Sequence, residues 1–214
     1  GADVNASPAW KLCAGDPSII VAITDEGVQY NHEDLQNNMW VNKAELNGAS
    51  GVDDDGNGYK DDIYGFNFVT STGVISWTNS GDTGHGTHVA GIIVANTNSN
   101  VKIKPYKVIG DDGTGTDTQL YLGIQAAIED GVDIINLSLT RKGESEIVHE
   151  AVQNAYNAGI THVKEWLKDG IIDEKVSNPD KINILVMHGN LSGTDYNPVN
   201  ITDISNSGMD YIAL

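Results

Sequence analysis

Short runs of β-branched residues alternate with stretches of helical periodicity along this chain, and that alternation constrains its fold more than any other feature. Ile19-Ile20-Val21-Ala22-Ile23 reads as a buried strand that ends at Thr24-Asp25-Glu26-Gly27. A buried helix over 88–95 follows the glycine-rich turn Gly81-Asp82-Thr83-Gly84-His85-Gly86, and Val101 to Lys104 with Tyr106 to Ile109 reads as a second strand. Leu120, Ile124, Ala127 and Ile128 share a helix face, capped by Thr116 or Asp117 and stopped by Gly131. Val132 to Leu139 is the next strand, and Val148, Ala151, Val152, Ala155 and Tyr156 mark a helix with Gly159 beyond it. Val163, Trp166 and Leu167 predict a further helix between Ile160 and Lys175, and Ile182 to Met187 a last strand. Such alternation implies an α/β fold of three layers, a mainly parallel β-sheet with helices on both faces. No repeat or linker-like segment divides the chain, so residues 1–214 are expected to form one domain.

Charge narrows the function classes. Twelve Lys and Arg stand against 30 Asp and Glu, a formal charge of −18, which repels a phosphate backbone and excludes general nucleic-acid binding. No apolar run approaches the roughly 18–20 residues that cross a bilayer, so no membrane insertion is expected. The single Cys13 excludes an internal disulfide framework and reads as a structural thiol.

Three segments place an unusual polar group where a strand ends or a helix starts: Asp25 after Val21-Ala22-Ile23-Thr24, His85 in Gly84-His85-Gly86-Thr87-His88-Val89-Ala90-Gly91, and Asn190 in Met187-His188-Gly189-Asn190. A carboxylate that accepts from one imidazole nitrogen fixes the tautomer and stabilises the imidazolium, leaving the other nitrogen as a general base. An amide N–H like that of Asn190 can donate to a developing oxyanion, worth about 3–4 kcal/mol in comparable sites. His85 and His88 share a helix face at i, i+3, but zinc needs a third ligand that the sequence does not supply.

The acidic stretch Asp53-Asp54-Asp55-Gly56-Asn57-Gly58-Tyr59-Lys60-Asp61-Asp62 puts oxygen side chains at alternate positions around a sharp glycine turn. It reads as a Ca2+ loop in which Asp53, Asp55, Asn57 and Asp61 supply ligands together with the Tyr59 carbonyl. Tyr64 stands where an EF-hand carries its closing Glu, so the loop is not a full EF-hand.

Taken together, these motifs resemble the catalytic domain of the subtilisin-like serine peptidases, the subtilases, from about Asn5 onward. The Asp25 segment is similar to that family's aspartate motif, the His85 segment matches its histidine motif residue for residue, and Gly189-Asn190 matches its oxyanion asparagine. Gly131 to Leu139 resembles the strand that flanks the substrate cleft. The resemblance implies a subtilisin-like fold and a serine endopeptidase in which Asp25 orients His85, His85 is the base and Asn190 completes the oxyanion hole. It further implies that Gly113, Thr114 and Gly115 on one side, and Ser138, Leu139 and Thr140 on the other, pair with an extended polypeptide substrate. Met187 to Gly189 would border the pocket for the side chain before the scissile bond. Asp34 matches a family calcium ligand, with Asn98 as its partner. Secretion to an extracellular location and a monomeric state are expected, and the resemblance leaves room for a propeptide.

Several positions depart from the family pattern. The family's nucleophile lies in a Gly-Thr-Ser motif, and none occurs in these 214 residues. Ser207 is a poor substitute, because the segment around it resembles the stretch that precedes the nucleophile motif, so the domain is expected to be incomplete at its C-terminal end. Glu26 adds a second carboxylate beside Asp25, Thr140 replaces a glycine, the loop Asn96 to Lys104 is short, and Thr161 to Lys181 reads as an insertion. The alternative reading is a non-catalytic module of the same architecture that binds peptides or calcium.

Overall fold

A computed structural model of the chain describes residues 10–11, 14–75, 84–97, 100–139 and 144–160, and by backbone alone 161–164, 184–185 and 210–211. Cys13, Asn98, Thr140, Trp166, Leu167, Met187, Gly189, Asn190 and Ser207 lie outside the described residues. Five strands, β1 (Ile20–Asp25), β2 (Phe66–Asn67), β3 (Lys102–Lys107), β4 (Ile134–Leu137) and β5 (Thr161–Lys164), form one sheet in the order β2-β3-β1-β4-β5. Every pairing between these strands is parallel.

Strand periodicity of two divides the core. Val21 and Ile23 of β1, with Ile103 and Ile134 of the neighbouring strands, face helix α2 (His85–Asn96) and meet its Val89, Ala90, Ile93 and Val94. Ala22, Tyr106 and Ile135 face the other way, onto Ile124, Ala126 and Ala127 of α3 (Asp117–Glu129) and Ala151 and Ala155 of α4 (Glu146–Asn157). The short helix α1 (Lys43–Asn47) lies in the connection between β1 and β2. Helices therefore cover both faces of a parallel sheet, the three-layer arrangement expected. Burying each of Ile23, Ile103 and Ile135 contributes about 1.5–3 kcal/mol, and small residues on α3 let it lie close to the strands. A Cβ at Gly123 would come within 2.5 Å of the Val108 side chain, so α3 packs at a distance only glycine permits there.

The helix signals act as chemistry dictates. Thr116, rather than Asp117, caps α3 in a capping box with Gln119, and Gly131 follows its end at φ 66°. α3 then carries the chain from β3 past β1 to β4, whereas α2 enters β3 from the opposite face. β1 is thus the strand where the winding reverses. Crevices at the carboxyl ends of strands beside such a switch point are where open α/β sheets bind ligands, and Asp25 is the last residue of β1.

Three expectations are corrected. His85 is not in the turn before the helix but is the first residue of α2, because Gly84 takes the left-handed conformation (φ 72°) and starts the helix three residues early. Thr161 to Lys164 is a strand, not the start of a helix: Gly159 ends α4 at φ 77°, and the open edge of β4 offers a parallel partner to a segment containing β-branched Thr161 and Val163. A three-residue apolar spacing is too weak to compete with that edge. Ile184–Leu185 is extended as expected but pairs with Asp210–Tyr211 in a separate two-stranded sheet rather than joining the main one.

Candidate active site

Asp25 and His85 meet across the interface between β1 and α2. The Nδ1 nitrogen of His85 lies 2.9 Å from both carboxylate oxygens of Asp25, so the imidazole donates Nδ1–H to the carboxylate. Asp25 is 1% exposed, whereas the His85 side chain is 41% exposed. The acid is thus enclosed, while the imidazole ring is partly open to solvent. The Glu26 N–H donates to Asp25 Oδ1 at 2.7 Å. Burial pushes the Asp25 carboxyl above the ordinary aspartate range, against the pull of the His85 and Glu26 hydrogen bonds.

Glycines make this approach feasible. A Cβ at Gly86 would lie 2.2 Å from the Gly27 carbonyl oxygen and 3.1 Å from the Asp25 Cβ, so only a residue without a side chain lets α2 begin against the end of β1. Thr87 closes the same junction by accepting from the Gln29 N–H at 2.9 Å. The two glycines flanking His85 have separate duties, Gly84 in turning the chain and Gly86 in close packing. His88 is exposed on α2 and does not reach Asp25 by any hydrogen bond among the described residues.

Two loops flank the pair. Residues 110–114 form a compact turn in which the Gly110 N–H donates to the Thr114 carbonyl at 2.7 Å, the Gly113 N–H to the Gly110 carbonyl at 2.9 Å, and the Thr114 N–H to Asp112 Oδ1 at 2.9 Å. The turn, with Gly113 in the left-handed conformation at φ 76°, leaves the Gly113 carbonyl and the Gly115 N–H unengaged among the described residues. Beyond β4, Ser138 Oγ donates to Asn136 Oδ1 at 3.0 Å, and Thr24 Oγ1 donates to the Asn136 carbonyl at 2.7 Å, which ties that edge to β1. Leu139 packs partly buried against the α3 side of the core.

The acidic stretch folds into a cage whose membership differs in part from the alternate-position pattern. Carboxylate oxygens of Glu45, Asp55 and Asp62 lie within 4.8 Å of one another, a grouping of hard oxygen donors that could hold a metal ion. Asn42, the cap of α1, donates to Asp55 and Asp62 at 2.8 Å each, and Asn57 donates to Asp62 at 3.2 Å. Asp53 instead accepts the Gly56, Asn57 and Gly58 N–H groups and shapes the turn, which holds its carboxyl below the ordinary range. Asp61 accepts the Gly51 N–H on both oxygens, and Tyr59 is anchored by its N–H to Asn57 Oδ1 at 2.7 Å. Asp34 is exposed, 3.8 Å from His32 Nδ1. Asp62 is buried and its carboxyl is pushed up to about 6, with Lys104 pulling the other way.

Sequence reasoning missed Glu45 as a member of the cage and two buried lysines. Glu45 lies on α1, and its oxygens also accept the Asp54 and Asp61 N–H groups at 2.6 and 2.8 Å; no local pattern joins it to the loop. Lys104 is held by Asp130 at 2.6 Å and stacks over Trp40 at 3.7 Å, and Lys107 reaches the Glu26 carbonyl and Asp111. The signal for these lysines was their alternation with Ile103 and Tyr106 in a strand that is buried from Ile103 to Lys107.

The model of the Subtilase family (Peptidase_S8) matches residues 16–164, a span that contains the Asp25–His85 pair, both flanking loops and the acidic cage. This chain belongs to the subtilase family. Subtilisin-like protease 1 of Plasmodium berghei (strain Anka) is 37% identical over 152 residues, which cover 67% of this chain and 25% of the relative. Minor extracellular protease Vpr of Bacillus subtilis (strain 168) is 34% identical over 146 residues, 64% of this chain and 16% of the relative. The chain therefore spans a quarter or less of the length of these two relatives. Among solved structures, that of a lanthipeptide protease superposes with a TM-score of 0.47 at 28% identity, covering 71% of this chain and 38% of the other. No helix among the described residues of this subtilase is long and apolar enough to cross a membrane.

Proposed function

We propose that the full-length protein is a serine endopeptidase acting on extended polypeptides, with Asp25 and His85 as two members of its triad. The enclosed carboxylate 2.9 Å from His85 Nδ1 carries this reading. With Nδ1–H committed to Asp25, Nε2 carries the lone pair, takes the proton of an attacking serine hydroxyl and returns it to the leaving amine. Asp25 stabilises the imidazolium formed in between. The serine belongs to the full-length protein and not to Ser207, and Asn190 donates to the tetrahedral oxyanion. The Gly113 carbonyl and Gly115 N–H pair with the substrate backbone on one side, with Thr114 between them, and Ser138, Leu139 and Thr140 line the other. Gly189 borders the adjacent pocket.

The cage takes Ca2+ in this reading. Glu45, Asp55 and Asp62 offer oxygen donors, and Asp53, Asn57, Tyr59 and Asp61 hold the loop and complete the shell where their carbonyl or side-chain oxygens reach; Asp34 serves a second, separate position. A bound cation would offset the repulsion of three clustered carboxylates and stabilise the fold by linkage. Relatives named as extracellular support a secreted location. A monomer, with or without a propeptide, suffices for this chemistry.

The experiment is hydrolysis of an unfolded polypeptide by the full-length protein and by its His85→Ala variant. Hydrolysis that falls about 10³-fold or more in the variant supports the proposal. Binding of the polypeptide without cleavage by the wild type would favour the non-catalytic module instead.

A further inference from the structure

β3 ends on a buried lysine that the triad chemistry does not use. Lys107 is 2% exposed and lies directly opposite Asp25 in the parallel register of β1 and β3. Its ammonium donates to the Glu26 carbonyl and, at 2.8 Å, to Asp111 Oδ1. An ammonium withdrawn from water at this depth is retained only where its donors are satisfied by charge and geometry, and each of these two partners belongs to a different loop. Glu26 is the residue after Asp25, in the turn against which α2 and His85 pack. Asp111 is the second residue of the compact turn 110–114, which carries the Gly113 carbonyl and leads to the Gly115 N–H.

We propose that Lys107 is a positioning residue that clamps the peptide-pairing loop 110–115 to the end of β1, fixing the substrate edge relative to the Asp25–His85 pair. The inference rests on the peptidase reading for its consequence, though not for the clamp itself. Because the turn is internally hydrogen-bonded from Gly110 to Thr114, holding it at Asp111 sets the place of Gly113 and Gly115 as a unit. Val108 and Ile109 N–H groups also donate to the Asp25 carbonyl at 3.0 and 3.3 Å, so the strand ends are joined before the loop departs. The backbone bonds fix the strands; Lys107 fixes the loop. No covalent step is involved, and Lys107 touches neither reacting atoms nor substrate.

The test uses Lys107→Met, which preserves the stem and removes the donors, and Asp111→Asn, which leaves the buried ammonium on the Glu26 carbonyl and so survives if the first variant fails to fold. Hydrogen exchange of the Gly113 and Thr114 amides in this chain is expected to accelerate about tenfold or more, with amides of α3 such as Ile124 unchanged. In the full-length protein the KM for extended peptides is expected to rise about tenfold. Labelling by a small fluorophosphonate, which needs His85 but not the peptide edge, should change less than threefold. Unchanged loop exchange, acceleration spread evenly over loop and α3, or an equal loss in peptide hydrolysis and labelling would each overturn the clamp. A wild-type full-length protein that neither labels nor cleaves would sink the peptidase reading, while the exchange measurement would still decide whether Lys107 holds the loop.

Discussion

Replacing Gly86 by alanine tests how tightly the site is built. The added Cβ would sit 2.2 Å from the Gly27 carbonyl oxygen and 3.2 Å from Asp25 Oδ1, and the first contact is with backbone that has no rotamer to give. Relieving it to ordinary van der Waals separation requires the start of α2 and the end of β1 to part by about 1 Å. His85 is the residue next to Gly86, so the same movement stretches the 2.9 Å contact between His85 Nδ1 and Asp25 beyond hydrogen-bond distance. Overpacking of this kind costs about 1–3 kcal/mol of stability, and a misplacement of about 1 Å in a catalytic pair lowers turnover about 10²-fold. Urea denaturation of this chain reads the first effect, and kcat/KM of the full-length variant reads the second. A Gly86→Ala protein with an unchanged urea midpoint and unchanged kcat/KM would show that α2 does not lean on the Asp25 turn as described.

Other perturbations have signs fixed by the same structure. Burial raises the Asp25 carboxyl above the ordinary 3.8, so relative to Asp25→Asn the wild type should be most stable below that value and lose the difference as pH rises through the raised native value; urea midpoints of both proteins between pH 3 and 7 measure this, and the opposite slope would contradict the burial argument. If the proposed peptidase activity holds, the same variant should lower kcat of the full-length protein about 10⁴-fold, because an amide no longer enforces the tautomer. Lys104→Met leaves Asp130 and Asp62 without their buried cation and should cost about 3–5 kcal/mol in denaturant unfolding, whereas a neutral result would mean the network carries no net stability. Saturating Ca2+ at about 100 times its Kd should stabilise the chain by about 2.7 kcal/mol, an effect lost in excess chelator and in Glu45→Gln; a melting curve indifferent to chelator would remove the calcium proposal.

The layered fold was legible because β-branched runs and helical faces recur at their proper periods, and the caps at Thr116 and Gly131 carry their chemistry in the residues themselves. The Asp25–His85 pairing was legible as well, since each sits in a long motif at the end of a strand or the start of a helix. Local patterning failed where tertiary context decided. Thr161 to Lys164 became a strand because β4 had an open edge, and His85 entered the helix because Gly84 turned left-handed. Glu45 joined the cage from a separate helix, and Lys104 and Lys107 took Asp130 and the Glu26 carbonyl, 26 and 81 residues distant, relations that no spacing rule reports, while the Lys107–Asp111 pair, four residues apart, is local.

Fluorophosphonate labelling of the full-length protein, with the modified residue located by mass spectrometry, decides whether Asp25 and His85 serve a nucleophilic serine. Stoichiometric labelling of one serine in a Gly-Thr-Ser context is expected, abolished by His85→Ala and by changing that serine to alanine. Absence of labelling in a folded wild-type protein, or labelling that persists without His85, would contradict that role.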